Sequence, residues 1–102
     1  MDENLKEIIK RIVEEVDPDK IILFGSQAKG ESKNWSDYDI CVLKKDIKHR
    51  RKLAQRIYCK LFGVKVSVDI IVETLERFEE LKQNKFLVYR EIAEYGRTVY
   101  EK

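Results

Sequence analysis

The chain has 102 residues, 43% of them hydrophobic and 39% charged, with 21 Lys and Arg against 19 Asp and Glu. That length suits one core without staples, so a single domain over 1–102 is expected. No apolar run reaches the ~18–20 residues of a membrane span, the acidic start Met1-Asp2-Glu3-Asn4 is unlike a secretory signal, and Cys41 and Cys59 read as reduced thiols of a cytoplasmic protein.

Leu5, Ile8, Ile9, Ile12, Val13 and Val16 recur at helical spacing and form one apolar stripe, ended by Asp17-Pro18. Ile21-Ile22-Leu23-Phe24 reads as a short buried strand. Residues 25–36 are rich in Gly, Ser, Lys and Asn and read as a loop with one helical turn at most. Tyr38, Ile40 and Val42 alternate with Asp37, Asp39 and Cys41, a second strand. Asp46 is placed to cap a helix whose apolar face is Leu53, Ala54, Ile57, Tyr58, Leu61 and Phe62, with Gly63 to end it. Val66, Val68, Ile70 and Val72 alternate through a third strand. Thr74 caps a helix that turns Leu75, Phe78 and Leu81 inward. A last helix over about 86–95 turns Val88, Ile92 and Tyr95 inward and ends at Gly96. Thr98-Val99-Tyr100 is β-prone and suits an edge strand. This order implies an α/β (α+β) fold, a small mixed β-sheet flanked by helices.

Charge is unevenly spread. Residues 1–20 carry seven acids and four bases, residues 73–102 seven acids and six bases, but residues 44–60 carry eight bases against Asp46 alone. Such a segment either docks an acidic partner or nucleic acid, or is a solvated helix face. Aromatics are not interleaved with these bases as a strand-stacking platform would need, which leaves direct nucleic-acid binding the lesser reading.

Three acids stand in unusual company. Asp37 and Asp39 are two residues apart at a strand, so they share a face with Cα atoms about 6.5–7 Å apart. Asp69 falls within Val68-Asp69-Ile70-Ile71-Val72. Taken singly, Asp37 could cap a turn, Asp39 could face solvent and Asp69 could lie on an edge strand. Taken together, buried carboxylates repel, and divalent cations are the simplest compensation. Oxygen-rich sites suit Mg²⁺ or Mn²⁺, and two such ions could be held by Asp37 and Asp39, with Asp69 completing one of them.

Upstream lies Phe24-Gly25-Ser26-Gln27-Ala28-Lys29-Gly30, a loop leaving a strand for a helical turn. Gly25 lets backbone approach a ligand closely. N–H groups at a helix start bind phosphate, and the Ser26 hydroxyl can donate to a phosphate oxygen. Lys29 either adds charge there or is an ordinary solvated lysine. Trp35, between the loop and the acids, either stacks on a nucleobase or packs at the surface.

Gly25-Ser26, ten residues, Asp37-Tyr38-Asp39-Ile40 and a later strand acid Asp69 together resemble the DNA polymerase β-like nucleotidyltransferase superfamily. The strings Gly25 to Gly30 and Ser36 to Asp39 are closest to its minimal nucleotidyltransferase (MNT) branch. The resemblance implies the polymerase β-like palm fold and transfer of a nucleoside monophosphate from a triphosphate. It implies Gly25, Ser26 and Lys29 as nucleotide-binding residues. It implies Asp37, Asp39 and Asp69 as catalytic metal ligands for two Mg²⁺, with Asp69 helping to deprotonate the acceptor. Members often carry Arg where this chain has Lys29, which keeps the charge but loses the planar fork. In the resembled branch the partner is a HEPN-type toxin, and the transferase adds AMP from ATP to one of its tyrosines, acting as antitoxin. The chain itself is no HEPN member: its one histidine, His49, has no arginine four to six residues before it, and reads as a surface helix residue.

Two other functions fit the sequence. One is a non-enzymatic module that masks its partner, and the other is a transferase acting on a small molecule of the aminoglycoside type. The first would use the basic 44–60 face. The second lacks a substrate domain. A homodimer through an edge strand or the last helices is left open.

Overall fold

A computed structural model of the chain describes residues 2–30 and 37–102. Trp35 lies outside the described residues. Helix α1 spans Glu3–Val16, with Leu5, Ile8, Ile12 and Val16 buried on one stripe. Asp2 caps it, its carboxylate accepting from the Leu5 N–H at 2.7 Å. The same carboxyl group accepts from the Tyr38 hydroxyl at 3.0 Å, tying the helix to the start of the second strand.

Strand β1 is Lys20–Phe24, the short helix α2 Gly25–Lys29, and strand β2 Tyr38–Lys44. Helix α3 is Arg50–Lys60, strand β3 Val68–Thr74, helix α4 Leu75–Leu81, helix α5 Val88–Tyr95, and strand β4 Arg97–Glu101. The strands form one mixed sheet in the order β3-β2-β1-β4. β1 runs antiparallel to β2 and β4, whereas β2 and β3 are parallel across the α3 crossover. Thr98, Val99 and Tyr100 do lie on an edge strand, as their β-propensity suggests.

Alternation along the strands fills two layers. Ile21 and Leu23, with Tyr38, Ile40 and Val42, pack against α1 and against Leu53, Ile57 and Leu61 of the α3 segment. Ile22, Phe24, Cys41 and Leu43 pack on the other face against Phe78 of α4 and Ile92 of α5. Cys41 is fully enclosed there, and burial, with the Glu73 charge beside it, pushes its thiol up to about 12. Cys59 is exposed, and neither cysteine is bonded to the other.

Five expectations change. Asp46 does not cap α3, which starts four residues later after His49, with no side-chain cap bond. Tyr58 is 46% exposed because its ring lies along the outer edge of β3, where the phenol oxygen accepts from the Ile70 N–H at 2.8 Å. Phe62 stands past the helix end and is exposed. Val88 and Tyr95 turn outward while Ile92 alone of that face is buried. Gly63, with φ of 94°, sits beyond the Leu61 cap and does not end α3 itself. The Thr74 cap holds, its hydroxyl accepting from the Arg77 N–H at 3.1 Å.

Candidate active site

The parallel register places Asp39 of β2 directly beside Asp69 of β3. Both side chains are on the face opposite Tyr38, Ile40 and Val42, the face that α4 and α5 cover further along. Asp37 immediately precedes β2 and is exposed. Asp39 also pairs across β1 with Phe24, so it faces the point where β1 turns into α2.

That turn explains Gly25. Its φ is +71°, a conformation that side chains rarely adopt, and a Cβ built on it would collide with the Asp39 carboxylate. The loop and the carboxylate are therefore fitted to each other. Ser26 follows in the first turn of α2 and is half-buried. Gly30 closes the helix in the left-handed region, its N–H donating to the Ser26 carbonyl.

The electrostatics centre on Asp39. Burial holds its carboxyl above the ordinary carboxylate range, and the charges of Asp69, Asp37 and Glu91 push it the same way. Among the described residues, no cation or hydrogen-bond donor is paired with the carboxylates of Asp37, Asp39 or Asp69. Nor do three His, Cys, Asp or Glu side chains there form a ready metal cluster. The donor set is nevertheless of the right kind for a hard divalent cation: all oxygen, multiply charged, and partly desolvated. The expectation of three buried acids is narrowed. Only Asp39 is withdrawn from water. Asp69 is exposed, because it is the second residue of β3 and β3 is an edge strand.

Lys29 ends α2, and its ammonium meets the Glu91 carboxylate of α5 at 3.1 Å. It also lies 5.2 Å from the centroid of the Tyr95 ring. The sequence reading missed Glu91 and Tyr95. Nothing local marks them, since Tyr95 shares helical spacing with buried Ile92, and the contact with Lys29 spans more than sixty residues.

A second acid was missed as well. Glu73, at the far end of β3, is 2% exposed. It receives Arg50 of α3 at 2.6 Å, its own neighbour's Thr74 N–H at 3.1 Å, and the Tyr89 hydroxyl at 3.3 Å. An acid inside the apolar run Val72-Glu73-Thr74-Leu75 was the available signal. Glu73 belongs to the core and not to the carboxylate group around Asp39.

Comparison with known proteins agrees with this layout. The profile of the nucleotidyltransferase domain family matches residues 3–99. No curated protein sequence matches the chain. Among solved structures, a toxin–antitoxin complex with AMP-PNP is 25% identical, with a TM-score of 0.64 over 95% of this chain and 73% of that one. A candidate nucleotidyltransferase of Sulfolobus solfataricus is 20% identical, with a TM-score of 0.68 over 97% of this chain and 78% of that one. The toxin–antitoxin MntA-HepT is 23% identical, with a TM-score of 0.57 over 97% and 71%. The small mixed sheet flanked by helices is the fold expected, it is shared with these nucleotidyltransferase structures, and the chain belongs to the nucleotidyltransferase domain family.

Proposed function

We propose that the chain is a Mg²⁺-dependent protein adenylyltransferase that moves AMP from ATP onto a tyrosine hydroxyl of a HEPN-type toxin, and so acts as its antitoxin in the cytoplasm. The observation that carries this reading is the in-register pair Asp39 and Asp69, with Gly25 lying bare against Asp39. The similarity to a toxin–antitoxin complex with AMP-PNP supports the nucleotide and the partner.

In this reading Gly25 and Ser26 hold the triphosphate through backbone N–H groups and the Ser26 hydroxyl, and Lys29 adds positive charge. Asp37 and Asp39 would hold two Mg²⁺ (or Mn²⁺), and Asp69 one of them. When bound, these ions neutralise the phosphate oxygens and the leaving pyrophosphate. Asp69, the more exposed acid, accepts the proton of the incoming hydroxyl. The hydroxyl oxygen bonds to the α-phosphorus, and the bond to the pyrophosphate oxygen breaks. The acceptor hydroxyl is supplied by the partner.

The test is intact-mass analysis of the protein encoded beside this one, after incubation with the chain, ATP and Mg²⁺. A gain in whole AMP units is expected, and its loss with Asp37→Asn, Asp39→Asn. A stable complex with no mass gain would replace this reading with that of a masking partner.

A further inference from the structure

Residues 44–60 carry eight bases, all of them on exposed residues except half-buried Lys44. Three adjoining grooves of about 690, 350 and 490 Å³ run along α3 and the segment before it, and Lys52 lines all three. Arg56 pairs with Glu15 at 2.9 Å, Arg50 with Glu73, and the Lys44 ammonium donates to the Asp17 carbonyl. Lys45, Lys48, Arg51, Lys52 and Lys60 have no acidic side chain paired with them among the described residues. Asp46 is the single acid within the segment.

The placement costs the fold something. Arg50 and Arg51 open the first turn of α3, where no acid stands and no side chain caps the helix. Cations at that end oppose the helix dipole. Arg50 answers the buried Glu73 carboxylate, but Arg51 has no such partner among the described residues, the buried face of α3 being Leu53 and Ile57. A polyanion on this face would offset both the mutual repulsion and the dipole.

We propose that the α3 face binds the phosphate backbone of double-stranded nucleic acid, independently of nucleotidyl transfer. The alternatives fit less well. Protein interfaces are centred on aromatic and apolar anchors, whereas the large exposed apolar side chains, such as Tyr58, Phe62 and Phe86, line none of these grooves. Single strands need aromatic platforms on which bases stack, and the grooves hold no Phe, Tyr or Trp; that lack, which made nucleic acid the lesser reading of the sequence, does not count against a duplex. Grooves lined by Lys48, Arg51, Lys52 and Lys60, with Glu15 and Asp46 as their acids, suit the phosphates of a duplex backbone. The surface is separate from the transfer site. It lies along α3, which packs on the sheet face opposite Asp39 and runs from the Lys44 end of β2 back to the start of β3. Eleven residues of α3 extend about 16 Å, enough for four or five phosphates along one strand.

The experiment is fluorescence anisotropy of the whole chain with labelled duplexes of about 20 base pairs, DNA and RNA in separate arms, over a salt series. Binding should weaken with salt at a log–log slope near −4 for duplex DNA. Lys48→Glu, Arg51→Glu, Lys52→Glu together should weaken it roughly tenfold or more, while circular dichroism stays that of the wild type. The DNA and RNA arms tell which duplex the cell would supply, and binding in either supports the proposal. A flat salt slope in the wild-type chain overturns it without any variant. So does unchanged duplex affinity in the triple variant, or tighter binding of polyglutamate than of either duplex.

Discussion

Asp69 and Glu73 stand on the same strand and the same face, four residues apart, and the fold treats them oppositely. Glu73 is enclosed, and every demand of its carboxylate is met by Arg50, Tyr89 and a backbone N–H. Asp69 is exposed beside half-buried Asp39, and among the described residues no cation is paired with either one. A buried charge that is satisfied from within holds a structure together. In the proposed reading, acids brought side by side hold a site open for a cation from outside, and the two ends of β3 separate stability from chemistry.

Breaking the satisfied end should cost most. Arg50→Ala leaves the Glu73 charge buried with only neutral donors, and a loss of about 2–4 kcal/mol is expected in denaturant melts. Asp69→Ala, in the same assay, should stay within about 0.5 kcal/mol while transfer is lost. Equal costs for the two would erase the distinction. Gly25→Ala attacks the fitted loop: a positive φ and contact with Asp39 predict about 1–3 kcal/mol of destabilisation, together with loss of nucleotide binding.

The smallest effect has the opposite sign. Asp39 is held above its ordinary range in the fold, so folding favours its protonated form. That contribution is present below the unfolded-state carboxyl range and is lost as pH rises through the folded one. In chelator, Asp39→Asn should therefore melt slightly higher than the wild type at pH 7, and the gap should close as pH falls through the carboxylate range. A variant that melts lower at pH 7 would mean that Asp39 is structural, like Glu73.

The elements were legible where the signal was local. The stripe of α1, the alternation of β2 and the Thr74 cap needed only neighbours in sequence. That Asp69 joins Asp39 was read from residue type and from the family resemblance, but the parallel register across α3 that sets them side by side was not legible. For the same reason Asp69 read as buried in an apolar run, although an edge strand exposes it. Tyr58 fitted an apolar helix face yet serves the edge of β3 with its hydroxyl. Periodicity identifies which face a residue lies on, but not whether anything covers that face. Glu73 shows the converse: its partners are one, sixteen and 23 residues away, and two of the three come from other elements.

Calorimetric titration of a non-hydrolysable ATP analogue tests the contrast most directly, run with and without Mg²⁺ on the wild type, on Asp37→Asn, Asp39→Asn, and on Glu73→Gln. The account predicts Mg²⁺-dependent binding by the wild type, the same by folded Glu73→Gln, and none by the Asp variant. Mg²⁺-dependent binding that survives in the Asp variant would contradict it.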